Sequence, residues 1–140
     1  MVGSNGFLYC YTSGTVTFKD STITGATYGI HFDGSAGGNI VIDNCVITGW
    51  TSFASTIENV TISETEFAKG NHNKLRFYQN AELNNCTFAD SFEGVDTNQN
   101  GTVVKINNCT GVEGKIFNNG DVVGTWFVNG EDISSTVTSW

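Results

Sequence analysis

The sequence predicts an all-β fold, a parallel β-solenoid of about five coils, and three observations lead to it. One eight-residue pattern of apolar and small residues occurs five times, at intervals of 20 to 24 residues. Only 14% of the residues are charged, while Gly, Asn, Thr and Ser are abundant, a composition that favours strands and turns over helices. A chain of 140 residues can bury one core, so we expect a single domain.

Each copy reads apolar-x-apolar-x-x-small-x-apolar. The two leading apolar positions are Val16 and Phe18, Ile40 and Ile42, Val60 and Ile62, Ala81 and Leu83, and Val104 and Ile106. The small position is Ser21, Cys45, Thr65, Cys86 or Cys109, and the last position is Ile23, Ile47, Phe67, Phe88 or Gly111. This alternation predicts strands with one buried face, whose equivalent side chains stack from coil to coil. Because the fifth copy ends in glycine, we expect the repeat to end there.

A corner is predicted between the strand and the small position of each copy. The residue just before the small one is Asp20, Asn44, Glu64, Asn85 or Asn108. Asn tolerates left-handed backbone geometry at a turn, and stacked Asn side chains can hydrogen-bond between coils. We therefore expect a ladder of polar side chains along this edge.

A second, less regular strand is predicted in each interval between copies. Its apolar residues are Ile30 and Phe32, Phe53, Leu75 and Phe77, Val95, and Ile116. We expect coils over residues 14–117, an N-terminal cap over 1–13 and a C-terminal cap over 118–140, because open solenoid ends need covering. Asn119-Gly120 and Asn129-Gly130 are turn signals on either side of the run 122–128, which predicts a hairpin-like C-terminal cap carrying Trp126.

The segments IDNCVI at 42–47, LNNCTF at 83–88 and INNC at 106–109 resemble repeats of the pectin-lyase-like superfamily. The resemblance covers residues 14–117 and implies a right-handed parallel β-helix. Members of that superfamily include pectate lyases, polygalacturonases, phage tailspikes and bacterial surface adhesins, so the fold leaves the chemistry open. The sequence has neither the adjacent aspartates with Gly-His-Gly of polygalacturonases nor the acidic calcium cluster of pectate lyases. No catalytic residue is therefore carried over.

Charge and cysteine spacing narrow the classes of ligand. A net charge of −8 opposes binding to nucleic acid or anionic lipid, and the lack of a run of eighteen apolar residues predicts no membrane insertion. Cys10, Cys45, Cys86 and Cys109 are far apart and form no CxxC pair, so we expect no thiolate metal site and no cofactor. Three of them share one repeat position, which predicts free buried thiols.

One segment of this acidic chain is basic. Lys69, Lys74 and Arg76 are three of its six Lys and Arg residues, and His72 lies among them. If Leu75 and Phe77 point inward, alternation turns their neighbours outward, together with equivalent residues of adjacent coils. The predicted binding face comprises His31, Asp33, Lys74, Arg76, Tyr78 and Asp96. Arg can bind a glycan carboxylate bidentately, whereas the structural alternative is an Arg76–Asp96 ion pair between coils.

Two other motifs favour structural interpretations. Residues 96–101 read DTNQNG, like the start of a calcium loop, but position twelve is Asn107 rather than Glu and the flanks read as strands. We interpret this segment as a polar turn. Asp33 and Asp96 are about 14 Å apart by strand spacing, which is too far for a glycosidase pair.

These observations favour a noncatalytic β-solenoid module for adhesion or carbohydrate binding, in an exported surface or phage-associated protein. The expected location is extracellular or at the cell surface, and the expected partner is a polysaccharide or cell-surface glycan. Two alternatives stay open. One is a polysaccharide lyase or glycoside hydrolase that uses His31, Arg76 or Asp96, and the other is a structural spacer or homo-oligomeric assembly unit.

Overall fold

The structure is a computed structural model that describes residues 2–3, 7–9, 13–33, 37–53, 55–70 and 74–140. Within these ranges, the side chains of residues 2–3, 7–9, 26, 32 and 33 lie outside the description. The described residues are almost entirely strands and turns, with one short 3₁₀ helix at Ser134–Thr136. The predicted all-β class is confirmed.

The strands follow one another at short intervals along the chain. In the first half they are β1 (Val2–Gly3), β2 (Phe7–Tyr9), β3 (Thr15–Lys19), β4 (Thr22–Asp33), β5 (Asn39–Asp43), β6 (Val46–Ser52), β7 (Asn59–Ser63) and β8 (Glu66–Lys69). In the second half they are β9 (Leu75–Phe77), β10 (Asn80–Asn84), β11 (Thr87–Phe88), β12 (Val95–Thr97), β13 (Val103–Asn107), β14 (Ile116–Asn118), β15 (Thr125–Val128), β16 (Glu131–Asp132) and β17 (Thr138–Ser139).

The strands form two sheets whose neighbours come from successive coils. The seven-stranded sheet has the order β16-β15-β13-β10-β7-β5-β3, and every pairing in it is parallel except β15 with β16. The ten-stranded sheet has the main order β1-β4-β6-β9-β12-β14-β17, and β2, β8 and β11 pair beside this path. Parallel neighbours about 20 residues apart in sequence define a β-solenoid, so the predicted architecture is confirmed.

The repeat predicts the register of the seven-stranded sheet. Ile40 pairs with Val60, Val60 with Ala81 and Ala81 with Val104, so the first apolar positions stack in one line. These side chains are buried, while the residues between them point outward. Burying each large apolar side chain stabilises the fold by about 1.5–3 kcal/mol relative to an exposed position. The stacked apolar lines are therefore the main source of stability.

The small position also stacks, and its chemistry is more specific than size. Each side chain donates a hydrogen bond to the carbonyl two residues earlier: Ser21 to Lys19, Cys45 to Asp43, Thr65 to Ser63, Cys86 to Asn84 and Cys109 to Asn107. In the last four copies this carbonyl also accepts a backbone N–H of the preceding coil, so the short hydroxyl or thiol adds a second hydrogen bond at the corner. Cys45, Cys86 and Cys109 are free thiols, as predicted, but only Cys45 and Cys86 are buried and Cys109 is partly exposed; Cys10 lies outside the described residues.

The predicted corner is left-handed in all five copies. Asp20, Asn44, Glu64, Asn85 and Asn108 have φ between 50° and 55°. Neighbouring side chains then bond between coils: Asn44 Nδ2 donates to Asp20 Oδ1 at 2.8 Å and Asn85 Nδ2 to Glu64 Oε1 at 2.6 Å. Two steps of the ladder are therefore amide–carboxylate pairs, which explains why Asp and Glu share the position with Asn.

The parallel stacking continues past residue 117, where the sequence predicts the coils to end. β15 adds a sixth parallel strand beside β13, and Trp126 stacks on Val104. The predicted hairpin turn follows it, since Asn129 and Gly130 have φ of 50° and 83° and join β15 to the antiparallel β16. The final segment is thus another stretch of coil that ends in a hairpin. At the other end, β1 and β2 both pair parallel with β4, and residues 1, 4–6 and 10–12 of the predicted N-terminal cap lie outside the description.

Gly111 explains why the last column of the repeat breaks in the fifth copy. Its φ is +83°, and a Cβ at this position would lie 1.9 Å from the Phe88 carbonyl oxygen. Only glycine allows the backbone to come this close to the preceding coil.

We expect Gly111→Ala to lower the free energy of unfolding by roughly 3 kcal/mol, because left-handed strain adds to a displaced backbone. Gly114→Ala is the matched control: Gly114 has φ +72°, but a Cβ added there would meet no atom within 4 Å, so about 1 kcal/mol is expected. Urea unfolding of the two variants measures the difference. Equal losses would show that the close approach at Gly111 carries no cost.

Candidate functional site

The ten-stranded sheet lines up the outward residues of five successive coils. His31 pairs with Ser52, Ser52 with Arg76, Arg76 with Asp96 and Asp96 with Phe117. Ser52 thus lies between His31 and Arg76, on the coil whose second strand the sequence marks only by Phe53. Two register shifts interrupt the pairing of β4 with β6, so the partner of His31 is not evident from the sequence.

Arg76 and Asp96 form a buried ion pair at the centre of this line. The guanidinium Nη2 lies 2.9 Å and Nε 3.1 Å from the two carboxylate oxygens, a bidentate arrangement. The side chains are 12% and 0% exposed. Burial lowers the pKa of Arg76, but the hydrogen bonds and charge of Asp96 outweigh it and raise that pKa above its usual value. The predicted ion pair is present, and it is buried rather than exposed.

Trp140 covers this pair from the solvent side. Its indole Nε1 donates to Asp96 Oδ2 at 2.9 Å, and its ring lies 3.3 Å from the Lys74 ammonium. Lys74 is buried against this ring and that of Phe117, and burial lowers its pKa despite the nearby Asp96. A cation over an aromatic face is attracted by the ring quadrupole, which helps to offset the loss of hydration.

A second aromatic group lies on the other side of Arg76. The rings of Tyr28, His31 and Trp50 have centroids 4.7 to 5.4 Å apart, and the Arg76 guanidinium carbon is 5.9 Å from the Trp50 ring. His31 Nδ1 is 2.7 Å from Ser52 Oγ. The Trp50 indole N–H is buried and has no hydrogen-bond partner in the described part of the chain.

Together these side chains form what we call the aromatic–cation face: Tyr28, His31, Trp50, Lys74, Arg76 and Trp140. Of the six predicted binding residues it contains His31, Lys74 and Arg76, with Asp96 buried beneath it. Tyr78 lies one outward position further along β9's coil, where its hydroxyl accepts a hydrogen bond from Asn98 at 3.1 Å. The side chain of Asp33, at the end of β4, and all of His72 lie outside the described residues.

Sequence reasoning missed the aromatic members of the face. Trp50 precedes Ser52 by two positions, and Tyr28 pairs with Trp50, so alternation along β6 could have placed both on the outward side. The sequence alone puts Trp140 in a cap, whereas it directly follows β17, which pairs in parallel with β14. Its place over Asp96 depends on a coil that the repeat pattern does not show.

The segment resembling a calcium loop is a stacked turn. The carboxylate of Asp96 is bound by Arg76 and Trp140, and Asn98 Oδ1 accepts a hydrogen bond from Asn119 at 2.8 Å. Asn100 Oδ1 accepts the backbone N–H of Val123 at 2.8 Å. Each of these oxygens therefore already binds the protein. Among the described residues, no group of three His, Cys, Asp or Glu side chains converges as metal ligands would.

The seven-stranded sheet carries a separate, shallow groove of about 400 Å³ on its outer face. Thr61, Glu82 and Lys105 stack along it on three successive strands. No helix in the described ranges is long and apolar enough to cross a membrane.

The fold and this face define a β-solenoid module with one aromatic and partly cationic side. The chain belongs to the family described as right-handed β-helix region, whose family model matches residues 5–138. No curated protein and no solved structure matches the chain. The family fixes the architecture, and the chemistry has to be argued from the side chains.

Proposed function

We propose that this chain is a noncatalytic β-solenoid module that binds carbohydrate through the aromatic–cation face, as part of an exported surface or phage-associated protein. The observation that supports this most is the set of aromatic rings, Tyr28, Trp50 and Trp140, on either side of Arg76 on a rigid sheet. Trp140 is 46% exposed, one of the two most exposed large apolar residues among those described. Rigid Trp and Tyr side chains offer a large contact area and a polar edge, and they dominate many binding surfaces.

The buried ion pair alters how such a face would hold a glycan. Asp96 already occupies the bidentate side of Arg76, so this fork is not free for a sugar carboxylate. Contact then comes from the ring faces of Trp140 and Trp50, while the buried Trp50 N–H lies out of reach of a ligand on the surface. Arg76 and Lys74 act by holding the rings in place and by offsetting the chain's negative charge locally. This role permits neutral as well as acidic glycans.

This geometry gives little support to the alternative that the chain is an enzyme. A general acid or base must reach the substrate, and the Asp96 carboxylate is 0% exposed and held by Arg76 and Trp140. Release of unsaturated or reducing ends from a polysaccharide would favour the enzyme over the binding module. Concentration-dependent light scattering in the absence of glycan would favour the assembly unit.

We expect Trp140→Ala to weaken glycan binding at least tenfold, because the exposed ring of the face is lost. Binding is measured on an array of neutral and acidic glycans and then by titration calorimetry with the best ligand. Trp140→Phe, which keeps a ring, should retain most of the affinity.

Two control variants test whether the glycan binds at the aromatic–cation face or elsewhere. Val123→Ala removes an apolar side chain that is 65% exposed and whose backbone bonds to Asn100 and Gly101, which are not part of the face, and Glu82→Ala alters the groove of the other sheet. Both should bind like the unaltered chain. Loss of binding with Glu82→Ala and not with Trp140→Ala would show that the glycan binds in the groove of the other sheet. An array on which no glycan binds would contradict the carbohydrate proposal.

A further inference from the structure

Cys86 and Cys109 occupy equivalent positions on consecutive coils. The residues on both sides are paired: Asn84 lies beside Asn107, and Thr87 forms a parallel bridge with Thr110. Backbone hydrogen bonds from Asn85 N to Asn107 O and from Thr110 N to Cys86 O hold this register. Neighbouring parallel strands are about 4.8 Å apart, which lies within the Cα separation of about 4.4–6.8 Å that a disulfide spans.

The Cys109 sulfur directly contacts Cys86, because Cys109 Sγ accepts the backbone N–H of Cys86 at 3.4 Å. Interaction with the Cys86 side chain, together with backbone hydrogen bonds, lowers the pKa of Cys109 to about 7, while partial burial and Glu113 oppose the shift. The same contact and burial raise the pKa of Cys86. Cys109 is partly exposed, so a reagent in solution can reach its thiol first, whereas the Cys86 thiol is buried.

We propose that Cys86 and Cys109 are a redox-active dithiol that closes to an intercoil disulfide when the folded chain meets a small disulfide oxidant such as oxidised glutathione. The Cys109 thiolate attacks one sulfur of oxidised glutathione and releases one glutathione thiolate, which gives a mixed disulfide. The Cys86 thiol then loses its proton to solvent, attacks the Cys109 sulfur and releases the second glutathione. The protein loses two electrons and two protons, and one glutathione disulfide becomes two thiols.

Position in the fold excludes the other described cysteine. Thr65 lies between Cys45 and Cys86 in the same column, and Cys45 N donates to Thr65 Oγ1 at 3.3 Å. Cys45 and Cys86 are therefore two coils apart, about 9.6 Å by strand spacing, which exceeds the reach of a disulfide. Only the 86–109 pair among the described thiols is adjacent.

Peptide mapping tests this directly, because trypsin puts each cysteine on its own peptide. Cleavage after Lys and Arg gives 1–19 with Cys10, 20–69 with Cys45, 77–105 with Cys86 and 106–115 with Cys109. The reduced, folded chain is incubated with oxidised glutathione near pH 7.5, acid-quenched, treated with N-ethylmaleimide, digested and analysed by mass spectrometry. We expect the linked peptides 77–105 and 106–115 as the main oxidised product, with the mass of two hydrogens lost and the link reversed by dithiothreitol.

Serine variants serve as controls, since Ser21 and Thr65 already place hydroxyls in this column. Cys45→Ser should retain the link, Cys109→Ser should abolish it, and Cys86→Ser should stop at Cys109 bound to glutathione. The same treatment in urea should give mixed pairings, which would show that the fold directs the reaction. Links to peptide 20–69 or 1–19 at equal yield in the folded chain would overturn the proposal. Absence of the 86–109 link in the folded protein after the same treatment would also overturn the proposal.

Discussion

Replacing Asp96 by Asn is expected to lower the free energy of unfolding by about 3–5 kcal/mol, since it leaves the Arg76 guanidinium buried without its counterion. Asp96 is fully buried and accepts hydrogen bonds from both Arg76 and Trp140. Lys74 also lies within range of its charge. The Asn side chain keeps the shape and loses the charge, so urea unfolding of this variant measures the electrostatic contribution.

The exposed ion pair Lys19–Asp43 is the matched control. Its Nζ–Oδ2 distance is 3.1 Å and it also joins neighbouring strands in register, but its side chains are 61% and 32% exposed. Asp43→Asn should therefore cost at most about 1 kcal/mol. The double variant Arg76→Leu with Asp96→Leu should lose less than Asp96→Asn alone, because no charge remains buried. Equal losses for the Asp96 and Asp43 variants would contradict this account of the pair.

The seven-stranded sheet could be predicted from the sequence because its geometry is repeated without variation. From β3 to β13 each strand has the same length, the same corner and the same stacked positions, so aligning the chain on itself reproduces the pairing of Ile40 with Val60. The left-handed corner could also be predicted, because Asn at such a position has a local physical cause. The pairing of these strands could be predicted because the backbone repeats the same geometry in each coil.

The ten-stranded sheet could be predicted only in part, for a physical reason. Register shifts interrupt the pairing of β4 with β6 and of β6 with β8, and an extra residue in one strand leaves no mark on an apolar pattern. Alternation within β9 still gave the outward direction of Arg76, and the pairing with Asp96 followed. The aromatic members Trp50 and Trp140 depend on register across several coils, which spacing alone does not supply.

The candidate site illustrates a further limit of reading charge from sequence. The basic segment around Arg76 suggests an open anion-binding patch. In the structure the Arg76 guanidinium already binds Asp96, and Trp140 donates a hydrogen bond to the same carboxylate. Whether a cation is free depends on its neighbours across the sheet, and these are separated by 20 residues or more along the chain. The face is consequently more aromatic and less cationic than its composition indicates.

Trp126→Ala is expected to cost about 3–5 kcal/mol and to loosen the C-terminal end of the solenoid first. Trp126 is 0% exposed, stacks on Val104 and donates its indole N–H to Asn118 Oδ1 at 3.0 Å. Its backbone also binds the final segment, since Trp126 N donates to Ser134 Oγ and Ile133 N to Trp126 O. Removing the ring leaves a cavity at the point where the last coil covers the core.

Because each coil contacts mainly its neighbours, the effect should fade along the axis. Amide hydrogen exchange should accelerate most in β15, less in β13 and least in β5, while urea unfolding gives the total loss. Trp126→Phe, which keeps most of the volume, should lose far less, since Asn118 Oδ1 still accepts the Gly124 N–H at 3.2 Å. Uniform acceleration in all strands would mean that the solenoid unfolds as one unit, and a loss below about 1 kcal/mol would mean that Trp126 does not seal the core.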